Sequence, residues 1–178
     1  MISVYVSHAT PHLPVQQVFL DELEKQMNKN GLKYAAIKAC DIETNDTIRA
    51  IKDSMKTVYG LIGVAYGRRR IVEAVNKYGS KAESVISGLE TTPYIQIETS
   101  IACAYEVPVL MVKEKEIIQE GVLEPYCVGI TAPEVIDIND PSSYFSSVEW
   151  ADAMEKFVAK VRANYIERNK FYRSAKCV

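Results

Sequence analysis

The stretch Thr91–Val112, TTPYIQIETSIACAYEVPVLMV, contains a helix start, a short helix and an apolar strand in succession. Thr92 can cap the helix, and Pro93 suits its first position. The pattern therefore predicts a helix that runs to about Tyr105. The apolar run Val107–Val112 follows at once and is typical of a buried strand. A short helix that leads into such a strand favours an α/β fold.

Glu98 is the charged residue within this predicted helix. Helical spacing places it on one face with Tyr94, Ala102 and Tyr105. Another face carries Ile97, Ile101 and Ala104. One interpretation is a helix-favouring glutamate on a solvated surface, although acidic residues favour the first helical turn and Glu98 lies beyond it. The other is a functional carboxylate, which needs a partly dry pocket. The residues alone leave both interpretations open.

The composition is that of an ordinary globular protein. The 178 residues predict one domain, residues 1–178. The hydrophobic fraction is 48% and the charged fraction is 25%, both usual for soluble chains. Lys plus Arg is 21 and Asp plus Glu is 23, for a net charge of -2. This balance gives no electrostatic sign of a nucleic-acid binder, so we expect no nucleic-acid partner.

The sequence predicts a cytoplasmic protein without a membrane partner. It has no apolar run near the length of a membrane span. Its beginning, MISVYVSHAT, lacks the basic region and long apolar stretch of a secretory signal. The four cysteines are far apart and form no CxxC pair. They are interpreted as free thiols in a reducing cytosol, and no metal site is expected.

Strand and helix patterns alternate along the chain. The predicted strands are Ile2–Val6, Lys33–Lys38, Val58–Ala65, Val107–Val112 and Val135–Ile138. The predicted helices are Val15–Lys29, a segment opened by Thr44 or Asp46, Arg68–Tyr78, the Glu98 helix and Val148–Arg168. Residues 79–90 are predicted to form a long loop or a ragged helix. The alternation favours a three-layer α/β fold, flavodoxin- or Rossmann-like, with about five mostly parallel strands and helices on both faces. We expect the first, third and fourth strands to be adjacent or nearly so.

In such sheets the ligand crevice lies outside the carboxyl ends of the strands. Residues at predicted strand ends, together with the Glu98 helix, therefore supply the candidate site. The candidates are Ser7, His8, Thr10, Asp41, Tyr66, Arg68, Tyr94 and Glu98. Many loop residues carry no function, so only part of this set is expected to bind a ligand. The Ser7–Thr10 loop and Glu98 are predicted to border one cleft.

Two segments resemble a known superfamily. SVYVSHAT, Ser3–Thr10, looks like the first strand and loop of Toll/interleukin-receptor (TIR) domains, and an acidic segment at Asp41 again precedes a helix. The block Thr91–Val112 is similar to the TIR element in which a glutamate-bearing helix precedes a strand. The same block also resembles nucleoside 2-deoxyribosyltransferases. By this resemblance, which spans roughly Ser3–Lys113, Glu98 matches the catalytic glutamate of both families.

The chain also departs from both families. TIR proteins often carry a Trp and a Cys ahead of the glutamate, where this chain has Tyr94 and Ile95. The deoxyribosyltransferases place acidic residues between the third strand and the glutamate. Here Glu73, Glu83 and Glu90 stand in that interval without an obvious match. The departures disfavour a true deoxyribosyltransferase.

The resemblance implies an N-glycosidase or cyclase that cleaves the ribosyl–nicotinamide bond of NAD or a related nucleotide. Bond breaking builds positive charge on the anomeric carbon, and one carboxylate can stabilise or attack it. Tyr94 or Tyr66 could stack on a ring, and Arg68 could hold the pyrophosphate. No cofactor beyond the nucleotide is expected. The resemblance also implies defence or cell-death signalling and homo-oligomers. The alternatives are a deoxyribosyltransferase-like enzyme and a non-catalytic nucleotide-sensing or adaptor domain.

Other motifs have ordinary explanations. The triplet Arg68-Arg69-Arg70 could clamp phosphate, but exposed charges are the norm and a solvated triplet is favoured. His8 and His12 could act as bases, but no triad partner can be placed for them. The glycines around the third predicted strand lack the GxGxxG context of a dinucleotide fingerprint. The segment Glu114–Pro125 could be a lid or a partner-binding loop.

Overall fold

Five parallel strands form the central sheet, and a separate antiparallel hairpin lies beside it. The structure, a computed structural model, describes residues 1–35, 46–125 and 127–174. The strands are β1 (Ile2–His8), β2 (Leu32–Ala35), β3 (Leu61–Ala65), β4 (Arg69–Asn76), β5 (Ser84–Glu90), β6 (Val109–Lys113) and β7 (Ile130–Thr131). The helices are α1 (Pro14–Lys29), α2 (Thr47–Thr57), α3 (Pro93–Ala104), α4 (Pro141–Phe145) and α5 (Val148–Ser174), with a 3₁₀ turn at Gly121–Leu123.

The strand order in the sheet is β2-β1-β3-β6-β7, and every pair is parallel. Tyr5 of β1 lies beside Leu61 of β3, and Leu61 lies beside Val109 of β6. The three long apolar runs are therefore neighbours at the centre of the sheet. This confirms the prediction, and its reason is that apolar strands need burial on both faces.

Two apolar layers cover the sheet. Alternation along β1 sends Val4 and Val6 to one side, where they pack with Phe157 of α5 and with residues of α1. It sends Tyr5 to the other side, among residues of α2 and α3 such as Ile51. The result is the three-layer α/β fold expected from the sequence. None of the helices in the described part of the chain combines the length and apolar character that a membrane crossing requires.

The ends of the helices follow the predicted caps. Thr92 accepts a hydrogen bond from the Tyr94 amide at 3.4 Å, and Pro93 occupies the first helical position of α3. Asp46 caps α2 by accepting from the Arg49 amide at 2.9 Å; the alternative cap, Thr44, lies outside the described residues. A side-chain oxygen at these positions satisfies an amide that has no partner within the helix. Local sequence therefore sets where α3, which carries Glu98, begins.

The segment 68–90 differs from the prediction. The predicted helix Arg68–Tyr78 is wrong, because β4 and β5 pair antiparallel over this range, with Arg69 opposite Glu90. The backbone of Leu89 also bonds the loop beyond β6, donating to Glu116 and accepting from Ile118. β-branched residues in both strands fit this extended pairing better than a helix. The hairpin is inserted into the crossover from β3 to α3.

The fifth strand of the sheet also lies elsewhere than predicted. β7 is Ile130–Thr131 rather than Val135–Ile138. Gly129 allows it to approach, since a Cβ there would lie 2.7 Å from the Val109 carbonyl oxygen. Pro133 has no amide to donate and interrupts the ladder after β7. Val135 adds only a single bridge to Glu114.

Gly63 brings α3 close to the sheet. A Cβ at this position would lie 2.9 Å from the Met111 side chain and 3.6 Å from Thr99 Oγ1 of α3. A side chain here would displace the end of the Met111 side chain and would lie in van der Waals contact with Thr99. The glycine near the third strand thus has a packing role, consistent with the absence of a dinucleotide fingerprint.

Candidate functional site

Glu98 is a buried carboxylate at the carboxyl edge of the sheet. Its residue is 9% exposed, and its neighbours on α3, Thr99 and Ala102, are fully buried. The face that carries Glu98 is thus the one that packs on the sheet, whereas Ile97 and Ile101 are only partly buried. A solvated-surface explanation for Glu98 is therefore wrong.

Tyr5 positions the carboxylate from the central strand. Its hydroxyl donates a hydrogen bond to Glu98 Oε1 at 2.9 Å, across the boundary between β1 and α3. Strand alternation puts Tyr5 and Ser7 on the same side of the sheet, facing α3. A carboxylate anchored by a buried phenol keeps one orientation, as a reacting group needs.

Burial raises the pKa of the Glu98 carboxyl above its ordinary value, while hydrogen bonding from Ser7 and Tyr5 acts in the opposite direction. Removal of a carboxylate from water disfavours its charged form, and donors favour it. The Ser7 hydroxyl makes no well-aligned hydrogen bond within the described part of the chain. It nevertheless lies near enough to lower the pKa of the Glu98 carboxyl, as Tyr5 does.

A cleft of about 870 Å³ opens beside Glu98 at the carboxyl edge of the sheet. We call it the carboxyl-edge cleft. Its wall comes from the ends of β1 and β3, the loop before α1, α2 and the first turns of α3. The lining residues are Tyr5, Val6, His8, Ala9, Thr10, Pro11, His12, Thr47, Ile51, Arg68, Thr92, Tyr94 and Glu98.

Five of the predicted site residues therefore line the same cleft, from different elements of the fold. His8 and Thr10 line it from the β1 loop, and Tyr94, 48% exposed, lines it near Glu98. Arg68 lines it from the end of β3 with an exposed side chain. The prediction that the Ser7–Thr10 loop and Glu98 border one cleft agrees with this arrangement.

Two other predicted residues, Ser7 and Tyr66, do not line the cleft. Ser7, 2% exposed, lies behind the wall. Tyr66 is 1% exposed and its hydroxyl donates to the Ala9 carbonyl, so it supports the β1 loop and offers no stacking surface. Asp41 lies outside the described residues. The error on Tyr66 has a simple cause, because a large aromatic ring at a strand end is readily absorbed by the core.

Both ring nitrogens of His8 are engaged. Nδ1 lies 2.7 Å from the Ala9 carbonyl oxygen, which can only accept, so Nδ1 carries the proton. Nε2 then accepts from the Tyr34 hydroxyl at 2.7 Å. Burial lowers the pKa of His8, and the hydrogen bond to Ala9 opposes this effect. His8 is thereby held as a neutral wall residue, not as a free base.

The basic triplet divides into two roles. Arg69 pairs with Glu90 at 2.9 Å, and Arg70 approaches Glu116 at 3.8 Å, both on the exposed hairpin surface. Arg68 makes no ion pair within the described residues and faces the cleft. Two of the three arginines are thus structural or solvated, while Arg68 is available to a phosphate.

Within the part of the chain that the structure describes, the cleft has no built metal centre. Among the described residues, no group of three or more His, Cys, Asp or Glu side chains is arranged to hold a metal ion. The described cysteines, Cys103 and Cys127, are free thiols away from the cleft. The arrangement offers one anchored carboxylate, aromatic and histidine walls, and one arginine. Such a set can stabilise a positive centre in a ligand and hold an anionic group near it.

Tyr5 is the site residue that the sequence interpretation missed. The sequence pattern indicates only that it belongs to the apolar strand Ile2–Val6. A usable signal was present, because Tyr5 stands two residues before Ser7 and alternation places both on one face. Thr92 was recognised only as a helix cap, although it also lines the cleft.

Comparison with known proteins gives only distant structural matches. No protein-family model matches the chain, and no curated protein matches it. A diflavin flavoprotein A3 from Nostoc sp. has a TM-score of 0.49 and 11% identity, over 94% of this chain and 96% of that one. The Flv1 flavodiiron core from Synechocystis sp. PCC6803 has a TM-score of 0.48 and 12% identity, over 91% of this chain and 36% of that one. Neither match carries information about the function of this chain.

Proposed function

We propose that this protein is an N-glycosidase or cyclase that cleaves the ribosyl–nicotinamide bond of NAD or a related nucleotide. The observation that carries the proposal is the buried, tyrosine-anchored carboxylate of Glu98 in the wall of a cleft large enough for a nucleotide. Small-molecule sites are concave, largely apolar and equipped with a few placed polar groups. The carboxyl-edge cleft fits this description.

The chemistry requires little beyond the carboxylate. As the bond between C1′ and the nicotinamide nitrogen breaks, its electron pair leaves with nicotinamide, which departs neutral. Glu98 stabilises the positive charge that develops at C1′ or forms a bond to it. Water then attacks C1′ and loses a proton to solvent, or a nucleophile within the same molecule closes a ring. Arg68 neutralises phosphate charge during these steps.

Burial of Glu98 strengthens the stabilisation that its carboxylate gives to the positive charge at C1′. A carboxylate already removed from water needs little solvent rearrangement when a cation forms beside it. The hydroxyl of Tyr5 holds Oε1 and so fixes the orientation of the carboxylate. The walls contributed by Tyr94 and His8 exclude water and offer flat surfaces to a ring.

The test is mass spectrometry of NAD incubated with the protein. We expect nicotinamide and either linear or cyclic ADP-ribose. The proposal includes homo-oligomer formation, so the assay should be repeated over a range of protein concentrations. It also includes a signalling role in defence or cell death. Flavin mononucleotide is a suitable control ligand that lacks the cleavable bond.

Two other outcomes distinguish the alternatives. Release of a base from a deoxynucleoside, with NAD intact, would favour a deoxyribosyltransferase-like enzyme. Recovery of unchanged NAD from the protein at every concentration would contradict cleavage and favour a nucleotide-sensing or adaptor role.

A further inference from the structure

A second cavity, of about 340 Å³, lies between the β4–β5 hairpin and the first turn of α3. We call it the hairpin cavity. Its apolar walls include Ile71, Ala74 and Ile86 of the hairpin and Ile118 of the loop beyond β6. Its volume is at the lower end of the range for small-molecule sites. The apolar walls suit a flat ring better than a charged group.

Thr91 is a buried polar residue in the wall of this cavity. The residue lines the cavity and is only 6% exposed. Its Oγ1 has no hydrogen-bond partner in the described part of the chain. A buried hydroxyl without a partner costs about 1–3 kcal/mol, so native proteins retain few of them.

The hairpin cavity adjoins the carboxyl-edge cleft. Thr92 lines both spaces. Arg68 lines the cleft, and its backbone amide donates to the carbonyl of Glu90, which lines the cavity, at 2.8 Å. The strip formed by Arg68, Glu90 and Thr92 thus separates the two spaces. The exposed arginine of this strip lines the cleft that also holds Glu98.

We propose that the hairpin cavity binds the distal purine base of a dinucleotide whose glycosidic bond lies at Glu98. This inference rests on the proposed function and specifies its substrate as a dinucleotide. The phosphates lie on Arg68, and the base lies among Ile71, Ile86 and Ile118. The exposed carboxylate of Glu120, which lines the cavity, meets the polar edge of the base. A carboxylate accepts a hydrogen bond from an exocyclic amine.

Charge decides which part of the ligand enters the cavity. Glu90 and Glu120 both line it, and Glu120 has no ion-pair partner in the described residues. A phosphate beside them would be repelled. The phosphates therefore belong on the arginine strip, and the uncharged base belongs in the cavity.

The experiment fills the hairpin cavity and measures binding of two probes that contain no bond to cleave. ADP-ribose carries the distal adenosine, whereas ribose 5-phosphate lacks it. Ala74→Trp places a bulky ring in the cavity, and tryptophan suits a strand. The matched control is Val75→Trp, because Val75 is the next residue of β4, does not line the cavity and is 46% exposed.

We expect Ala74→Trp to weaken ADP-ribose binding by about tenfold or more, equivalent to about 1.4 kcal/mol. Ribose 5-phosphate should bind equally to the parent, Ala74→Trp and Val75→Trp. Unchanged ADP-ribose affinity in a folded Ala74→Trp protein would overturn the inference. If that variant does not fold, Glu120→Ala removes the exposed carboxylate that accepts from the base. It should weaken ADP-ribose binding by about threefold to tenfold, a loss of one hydrogen bond, and an unchanged affinity would again overturn the inference.

The inference and the proposed function fail in different ways. If NAD is cleaved through Glu98 but Ala74→Trp leaves ADP-ribose binding intact, the hairpin cavity is not the base site and the function stands. If ADP-ribose binding depends on Ala74 but NAD is never cleaved, the base site stands and the glycosidase proposal falls.

Discussion

A cleft of about 600 Å³ lies at the amino edge of the sheet, opposite the carboxyl-edge cleft of about 870 Å³. This amino-edge cleft is lined by the start of β6, the end of α3 and one side of α5. Its charged side chains Lys160 and Glu167 are exposed. Arg168 donates to the carbonyl oxygens of Lys56 and Val58 and lies 4.8 Å from the centre of the Tyr59 ring.

At the carboxyl edge of the sheet, by contrast, polar groups are buried. There Glu98 is buried with a raised pKa, and the hydroxyls of Ser7 and Thr99 are buried without well-formed hydrogen bonds among the described residues. The two clefts are similar in size, so size does not distinguish them. Polar groups that are buried and incompletely satisfied persist where function requires them. This contrast is the reason for placing the chemistry at the carboxyl edge.

Glu98→Gln tests this contrast between the two clefts, and it is expected to have the largest effect. The change keeps the shape of the side chain and removes its charge. Turnover of NAD should fall by a factor of about 10²–10³, as for the loss of one electrostatic stabiliser. Ligand affinity should change much less, because the charge acts on the transition state. Steady-state kinetics and equilibrium binding separate the two effects.

The matched control is Glu167→Gln at the amino-edge cleft. Glu167 is exposed, so loss of its charge should leave turnover unchanged. Equal activity of the parent and Glu98→Gln would end the proposal that Glu98 is catalytic. Equal losses in both variants would remove the distinction between the two edges.

Tyr5→Phe should have the next largest effect. It removes the hydroxyl that donates to Glu98 at 2.9 Å and so removes one influence that lowers the pKa of the carboxyl. The acid side of the pH–rate profile should move to higher pH, because the ionised form is the active one. On the acid side, the rate at a given pH should fall by about tenfold for each pH unit by which the profile moves. Tyr105→Phe, at the amino-edge cleft, should leave the profile in place.

Arg168→Met tests the opposite expectation at the amino edge. The substitution removes hydrogen bonds to two backbone carbonyls at the end of α2. The free energy of unfolding should fall by about 1–2 kcal/mol, while turnover per folded molecule stays unchanged. Denaturant unfolding measures the first quantity. Arg162→Met provides the control, since Arg162 reaches only the Asn30 carbonyl at 3.5 Å. A loss of turnover in Arg168→Met would show that the amino edge also takes part in function.

The smallest expected effect is on the pH dependence of stability. Burial raises the pKa of folded Glu98 above that of an unfolded glutamate. The folded state therefore keeps its proton to higher pH, and the free energy of unfolding decreases as pH rises from the ordinary glutamate range through the raised pKa. Glu98→Gln should lose this slope and be no less stable than the parent at neutral pH. Thermal unfolding across this pH range measures the slope, and a less stable variant at neutral pH would contradict the prediction.

Local signals predicted the elements that hold Glu98. Thr92 and Pro93 define the start of α3, and the apolar runs of β1, β3 and β6 define the centre of the sheet. The rule that ligands bind at carboxyl ends then brought His8, Arg68 and Glu98 to one cleft. These successes depend on short-range patterns and on one general property of parallel sheets.

The failures depend on long-range contacts. The β4–β5 hairpin contains helix-favouring residues, but it is held by cross-strand pairs and by the loop beyond β6, which sequence periodicity does not report. The hydrogen bond from Tyr5 to Glu98 joins residues 93 positions apart. Only alternation along β1, combined with the packing of α3, reveals it.

The insertion of the hairpin between β3 and α3 has a consequence for engineering. Its turn, where Lys77 and Gly79 adopt positive φ values of 53° and 73°, lies at the end of a two-stranded ribbon outside the parallel sheet. A Cβ at Gly79 would meet nothing within 4 Å. Surface turns of this kind tolerate added residues. A fluorophore or affinity handle placed there would report on the ribbon while the strands that carry Tyr5 and the helix that carries Glu98 keep their register.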